Sequence, residues 1–205
     1  ASLDNRLIYE QTGVSTYQRI GVSYASLGKF EVAIEFLEKA LEIEYDDAVA
    51  FELATILYDQ KEYQKANLYF KQIDTISPEF EGYEYGYALS LHAEHQTEEA
   101  LRLTQQGLSK NPFDTRLLLL ASQLSYELHD EQKAEDYLLK AKDNAEDLEE
   151  IALRLSNLYL EQERFDEVLK FEEQDIDNVL TKWSIARAYQ ALEQTTAALE
   201  RYRLL

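Results

Sequence analysis

Two columns of small residues run in step through the 205-residue chain. Gly21, Ala54, Ala88, Ser122, Ser156 and Ala186 are separated by 33, 34, 34, 34 and 30 residues, and Ala33, Ala66, Ala100, Ala134, Val168 and Ala198 repeat those intervals. A period of this length marks a stacked supersecondary unit. Within each unit the two columns lie twelve residues apart. That places one on either side of a bend, where two antiparallel helices cross and a small side chain lets the axes approach. Larger residues surround the crossing: Ile20, Tyr24, Phe30 and Leu37 in the first unit, Leu53, Leu57, Tyr63 and Phe70 in the second. Each hairpin is apolar on more than one side, so it buries that surface only by stacking on its neighbours.

The punctuation agrees. Only two prolines and six glycines occur, and Pro78 and Pro112 fall 34 residues apart, where second helices end; a ring without an N–H stops the helical ladder there. The stretch "SYASLGKFEVAIEFLEKAL" brings together Tyr24, Leu27, Gly28, Phe30, Ala33 and the Ala40-Leu41 pair. In this it resembles the tetratricopeptide repeat (TPR) family. The resemblance is specific in the first three units, looser in the fourth and weakest in the last two. It implies an all-α solenoid of antiparallel helix hairpins, wound as a right-handed superhelix. The solenoid would be a single domain over residues 14–205, with units at about 14–46, 47–80, 81–114, 115–148, 149–178 and 179–205. Residues 1–13, with Leu3, Leu7 and Ile8, are expected to form a helix that covers the first unit, or the end of a preceding repeat.

Two local expectations follow from the register. In the fifth unit, "FDEVLKFEEQDIDN" puts Glu172 and Asp175 where the pattern wants an aromatic and a small residue, and the next interval drops to 30. That junction is expected to pack poorly, as a short helix with a hinge, as the place where the superhelix changes pitch, or as simple drift in a tolerant repeat. Gly28 aligns with Lys61, His95, His129 and Glu163, so the bend is expected to demand no glycine geometry.

Gly28 also raises the question of phosphate binding, because Lys29 follows it. A phosphate loop needs G-x-x-x-x-G-K-[ST]; here Gly21 and Gly28 stand two residues too far apart, and Phe30 replaces the hydroxyl. His92, Glu94, His95 and Glu98 invite a metal, since a helix brings residues three or four apart onto one face. However, His95 and His129 fall 34 apart at equivalent bends, which makes them solvated bend residues. Paired carboxylates such as Glu98-Glu99, Glu149-Glu150 and Glu172-Glu173 read as a solvated face, with no buried cleft to raise a pKa. No G-x-S-x-G elbow, kinase set or dinucleotide loop occurs. The sequence therefore supplies no catalytic residue, no metal site and no cofactor.

Charge narrows the partners. Forty acidic against twenty basic residues give a net of −20, yet 45% of residues are hydrophobic, so the chain folds and carries a negative field. Such a field repels nucleic acid and anionic lipid. There is no cysteine and no 18-residue apolar run, and "ASLDNRLIYEQTG" lacks the regions of a signal peptide. A cytoplasmic protein without membrane insertion is expected. The absence of methionine, and a chain that stops at "RYRLL" within a helical pattern, point to a segment of something longer.

Stacked hairpins create a concave surface lined by the first helix of each unit. Helical phase puts on it Phe51, Thr55 and Tyr58, then Tyr85, Leu89 and His92. Leu119, Gln123 and Tyr126 follow, then Leu153, Asn157 and Leu160, and in the sixth unit Trp183 and Arg187 beside Gln190. Widened to six positions per unit, the stripe holds Arg19, Arg116, Arg154 and Arg187 against Glu52, Asp59, Glu127, Glu150 and Glu161. It is nearly neutral while the remainder carries almost all of the −20. That partition suits a protein or peptide ligand with apolar anchors, basic segments being favoured by the exterior, and the arginines could hold a carboxylate. Family members that clamp an acidic chaperone tail use lysines, asparagines and arginines in the groove. No lysine stands in this stripe, and Gln18 and Val22 occupy places where a lysine and an asparagine are expected.

The reading is a protein–protein interaction scaffold that binds a peptide or amphipathic helix in the concave groove. The alternatives are a self-associating protein, a homo-oligomer built through the terminal helix or convex face, and a non-catalytic segment of a larger enzyme.

Overall fold

The computed structural model describes residues 16–145, 147–174 and 176–205. Among these are twelve α-helices and no strand. In chain order they are α1 (Thr16–Ser26), α2 (Phe30–Ile43), α3 (Asp47–Asp59), α4 (Tyr63–Ile76), α5 (Tyr83–Ala93), α6 (Thr97–Lys110), α7 (Thr115–Glu127), α8 (Glu131–Lys142), α9 (Glu149–Glu161), α10 (Phe165–Leu169), α11 (Val179–Ala191) and α12 (Thr195–Tyr202). A 3-10 turn, Lys170–Glu173, extends α10. The expected helix over residues 1–13 lies outside the described residues. The chain divides into two compact units, one up to Gly107 and one from Leu108.

Both small-residue columns are buried throughout. Ala54, Ala88 and Ala186 are fully inaccessible, as are Ala33, Ala66, Ala100 and Val168, and Gly21, Ser122, Ser156, Ala134 and Ala198 are also buried. The closeness of the crossing is plainest at Gly21. A Cβ there would stand 2.7 Å from Leu37 Cγ and 3.2 Å from the Ala33 carbonyl oxygen, so α1 and α2 meet with no room for a methyl group. The second column also closes the first turn of each second helix: the N–H groups of Ala33, Ala66, Ala100, Ala134 and Ala198 donate to the carbonyls of Lys29, Glu62, Gln96, Asp130 and Gln194 at 3.0 Å.

The bends share one geometry, and here the expectation that they demand nothing special is corrected. Gly28 has φ +70°, and Lys61, His95, His129, Glu163 and Glu193 have φ of 63°, 60°, 62°, 57° and 60°. All six are left-handed. At each the chain closes a Schellman motif, in which the left-handed residue donates three positions back and the next residue donates five back. Gly28 and Lys29 donate to Ala25 and Tyr24 at 2.9 and 3.0 Å, and His129 and Asp130 donate to Tyr126 and Ser125, both at 2.9 Å. Two orphan carbonyls are satisfied per bend, which outweighs the strain that a side chain suffers in this region. The sequence hides this, because glycine stands at one of the six positions only.

First helices start on side-chain caps where the chain has them. Asp46 accepts from Val49 N at 3.0 Å, Asp114 from Arg116 N at 3.0 Å, and Asn178 from Leu180 N at 3.0 Å, each relieving a donor of the first turn. In the first unit the core centres on Phe70, whose ring stacks on Tyr87 at 5.7 Å and meets Phe51 edge-on at 6.1 Å. In the second, Leu118, Leu138, Ile151, Leu155 and Tyr159 gather around Val168, Phe171 and Ile176.

The fifth hairpin departs from the others: α10 spans five residues, the short-helix alternative of those that the 30-residue interval left open. The expectation of poor packing there holds in part, since an opening of about 630 Å³ lies beside Phe171, Ile176 and Ile185 while the apolar side chains themselves are covered. Val168 is inaccessible, Phe171 and Ile176 are buried, and Glu172 is tied to Arg201 and accepts from the Tyr189 hydroxyl. Glu172 thus serves as a polar tie to the last hairpin. Asp175 lies outside the described residues.

Two outcomes test these constraints. Replacing His129 by Gly removes left-handed strain, so stability rises by up to about 1 kcal/mol and the melting temperature by about 2–4 °C, whereas His129→Val lowers both. Gly21→Ala raises helix propensity by about 1 kcal/mol but forces a methyl against the inaccessible Leu37, an overpacking cost of about 1–3 kcal/mol. Thermal denaturation is expected to show a net loss.

Candidate partner-binding surface

None of the fourteen residues expected on the first-helix stripe is buried. The neighbouring stripe on the same helices is closed: Leu53, Leu57, Leu91, Leu124, Leu155, Leu158 and Ile185 sit in the cores. From α3 onward each first helix therefore has one closed apolar face and one mixed face that stays at least partly accessible.

In the first unit the stripe comprises Phe51, Thr55 and Tyr58 on α3 with Tyr85, Leu89 and His92 on α5. Phe51 also packs on Phe80, with ring centroids 5.7 Å apart, so it belongs partly to the core. Thr55 is exposed and returns its hydroxyl to the Phe51 carbonyl at 2.8 Å. Tyr58 lies against Tyr63 at 5.5 Å. Burial, and then the neighbouring Tyr63, Tyr85 and Asp59, push its phenol above the ordinary range.

In the second unit the stripe runs over α7, α9 and α11 and is stitched by polar contacts. The Tyr126 hydroxyl donates to Glu161 at 2.5 Å, Arg154 reaches the Leu119 carbonyl at 3.4 Å, and the Ser184 hydroxyl donates to Asn157 Oδ1 at 3.3 Å. A cavity of about 250 Å³ opens between α7 and α9, with Ala134 and Leu138 in its floor and Gln123, Tyr126, Arg154, Asn157 and Glu161 around its mouth. Its volume suits a single large side chain, and its rim offers amide, hydroxyl, guanidinium and carboxylate groups. Tyr126 is 43% exposed, and the carboxylate that it faces holds its phenol above the usual value. On α11, Trp183 is exposed and carries the Arg187 guanidinium 4.8 Å from its ring centroid. Leu119 and Leu160 lean on the core of this unit.

Sequence phase thus brings Gln123, Tyr126 and Asn157 around one cavity and pairs Trp183 with Arg187. It gave no place among the fourteen to Arg154 and Glu161, which complete the rim, although both stand in the widened stripe. It also missed Val179 and Leu180, exposed by 57% and 58%; an apolar pair in the first turn of α11 was the available signal. A second opening, about 630 Å³ and lined partly by Phe171, Ile176, Ile185 and Arg201, sits where α10 is cut short. Among the described residues no group of three or more His, Cys, Asp or Glu side chains is placed to hold a metal. His95 stands at a left-handed bend, apart in role from His92 on α5. No described helix is long and apolar enough to cross a membrane.

One charged node locks α8 to α9. Glu135, almost buried, receives two hydrogen bonds from Arg164 at 2.6 and 2.9 Å and one from the Tyr159 hydroxyl at 3.1 Å, while the Arg164 guanidinium lies 4.3 Å from the Tyr159 ring centroid. These bonds, Arg164 foremost, hold the Glu135 carboxyl below the usual glutamate range. Burial, then Glu135, pushes the Tyr159 phenol up to about 12.

Comparison with known proteins places the fold. Residues 14–47 match the tetratricopeptide repeat family model. The chain is 22% identical over 194 residues to the TPR repeat-containing protein YpiA of Bacillus subtilis (strain 168), covering 93% of this chain and 46% of that protein. It therefore spans about half the length of that curated relative. Among solved structures it is similar to pilF of Pseudomonas aeruginosa (18% identity, 90% and 86% of the two chains, TM-score 0.70). It is also similar to MamA from Desulfovibrio magneticus RS-1, residues 41 to the end (20%, 78% and 95%, TM-score 0.67). YrrB, described as a TPR protein with an unusual peptide-binding site, matches at 19% identity, 80% and 88% coverage and TM-score 0.67.

The Glu135 node sets an acid response. A carboxyl whose folded pKa is depressed stabilises the fold above its unfolded value, about 4.3, and that stability is lost as pH falls toward the folded value. Glu135→Gln is expected to flatten the fall of melting temperature between about pH 5 and 3, relative to the parent chain.

Proposed function

The chain is a tetratricopeptide-repeat protein, and we propose that it is a non-catalytic interaction scaffold holding a peptide or amphipathic helix of another protein on its first-helix stripe. The observation that carries this reading is the division of the first helices from α3 onward into a closed apolar face and a partly open one. A stripe of aromatic, aliphatic and polar side chains that the hairpins themselves leave accessible is the kind of surface that a partner covers. The cavity beside Tyr126 supplies a socket for one anchoring side chain, and sockets of this kind concentrate binding energy in a few residues. The peptide-binding site for which YrrB is described supports the same use of this fold. The anchors are apolar, the setting is the cytoplasm, and no cofactor takes part. Exposed Leu199 (52%) and Leu204 (71%) on the last hairpin favour self-association as a second reading, which light scattering against concentration separates from a monomeric scaffold.

The test is a selection of random dodecapeptides displayed on phage against the purified chain. Enriched peptides are expected to bind the parent and to lose about tenfold or more in affinity for the Tyr85→Ala, Tyr126→Ala double variant. The helicity and melting temperature of that variant should stay close to the parent's. Retention of full affinity by the double variant would remove the stripe from the reading.

A further inference from the structure

The neutrality of the stripe conceals an imbalance in the second unit. Its three carboxylates are each engaged: Glu150 pairs with Arg154 at 2.6 Å, Glu161 accepts from Tyr126 at 2.5 Å, and Glu127 accepts from Gln123 at 3.1 Å. Of its three arginines, Arg116 is held by Asp114 and Arg154 by Glu150. Arg187 alone has no carboxylate partner among the described residues. Its guanidinium lies over the face of Trp183, 4.8 Å from the ring centroid, and the side chain is exposed. What sets Arg187 apart is its place, on the exposed stripe and over an exposed aromatic ring, in a chain with a net charge of −20.

Stacking fixes the plane of a guanidinium and leaves the N–H groups on its edge pointing outward, which is the geometry that takes a carboxylate bidentately. The residues ahead of Arg187 on the same helix continue the pattern. Trp183 is one turn before it, and Val179 and Leu180, both more than half exposed, are one turn earlier again. The strip therefore reads aliphatic, aromatic, cation. With a rise of about 1.5 Å per residue it extends over roughly 12 Å from Val179 to Arg187. An extended peptide advances about 3.3 Å per residue and presents alternate side chains to one face, so two of its residues four positions apart span that distance.

We infer that Arg187, stacked on Trp183, is a recognition site for an acidic side chain of an extended partner segment in which an aliphatic residue lies four positions away and seats on Val179 and Leu180. This deepens the scaffold reading and rests on it. It revises the expectation of a basic partner for this part of the surface: the global field favours cations, but at about 8 Å screening length in physiological salt the local uncommitted charge decides what docks on α11.

The chain reports on the site directly, because Trp183 is its only tryptophan. Dodecapeptides selected on phage against the parent are expected to be enriched in Asp or Glu four residues from Leu, Ile or Val. Their binding should alter Trp183 emission, weaken with added salt, and fall about tenfold or more for Arg187→Gln. Selection against Arg187→Glu should exchange the acidic position for Lys or Arg. Circular dichroism melting controls for folding, and the exposed position of Arg187 leads to an unchanged melt. Peptides that lose affinity for Tyr126→Ala but show no acidic enrichment and no response to Arg187→Gln would overturn this inference and leave the scaffold reading standing. Selection that yields no peptide sensitive to either site would overturn both.

Discussion

Every level of this architecture depends on how closely two helices approach within a hairpin. At Gly21 the distance is too short for a single methyl group against Leu37. The corresponding positions in the other units are held by Ala or Ser, all of them buried. A short interaxial distance keeps each hairpin thin, so that large residues one turn away, Leu53 and Leu57 for example, project beyond it and meet the next hairpin. The Schellman bends serve the same end: they reverse the chain in very few residues and set the twelve-residue offset that brings the two columns opposite each other. The left-handed strain at Lys61, His95, His129, Glu163 and Glu193 is the consequence of a bend fixed by register rather than by the residue that happens to occupy it.

A thin hairpin has a functional corollary. Its first helix buries one face against its own partner and its neighbours, and little is left behind it to cover the opposite face. The openness of Tyr126, Asn157, Trp183 and Arg187 is then a product of geometry, repeated wherever a first helix occurs, while the residue type at each position decides what the surface can bind. Thr55, Leu89, Gln123, Asn157 and Arg187 hold equivalent places in successive units, yet they range from aliphatic to amide to cationic. The architecture is periodic and the side-chain chemistry that it displays is not.

The periodic part was the part legible in the sequence. Small residues must recur at fixed intervals for helices to cross, so the columns announced the hairpins, while the 30-residue interval with Glu172 marked the fifth one as irregular without deciding between a short helix and simple drift. Features resting on contacts between distant residues left no such trace. Glu172 stands where an aromatic is expected, and nothing local indicates that Tyr189 and Arg201 come to meet it. The left-handed bends escaped for a different reason: lysine, histidine and glutamate share no chemistry that betrays φ. On the stripe, helical phase located Trp183 and Arg187 one turn apart, but whether Arg187 is spoken for depends on every carboxylate within reach.

The acidic excess itself explains why that question has a clear answer. With twice as many acidic as basic residues, ion pairs alone cannot accommodate the carboxylates that packing brings between hairpins, and tyrosine supplies many of the missing donors. Tyr69 donates to Glu38, Tyr83 to Asp74, Tyr126 to Glu161, Tyr159 to Glu135 and Tyr189 to Glu172, each joining neighbouring hairpins within a unit. In all five the phenol pKa is raised, by burial, by the facing carboxylate or by both, so the hydroxyl stays protonated and remains a donor across the physiological range. A neutral donor satisfies a carboxylate without consuming a cation. Cohesion between hairpins thus leans on phenols, which leaves the arginines of the second unit's stripe to be assigned singly: Arg116 to Asp114, Arg154 to Glu150, and Arg187, exposed, to Trp183.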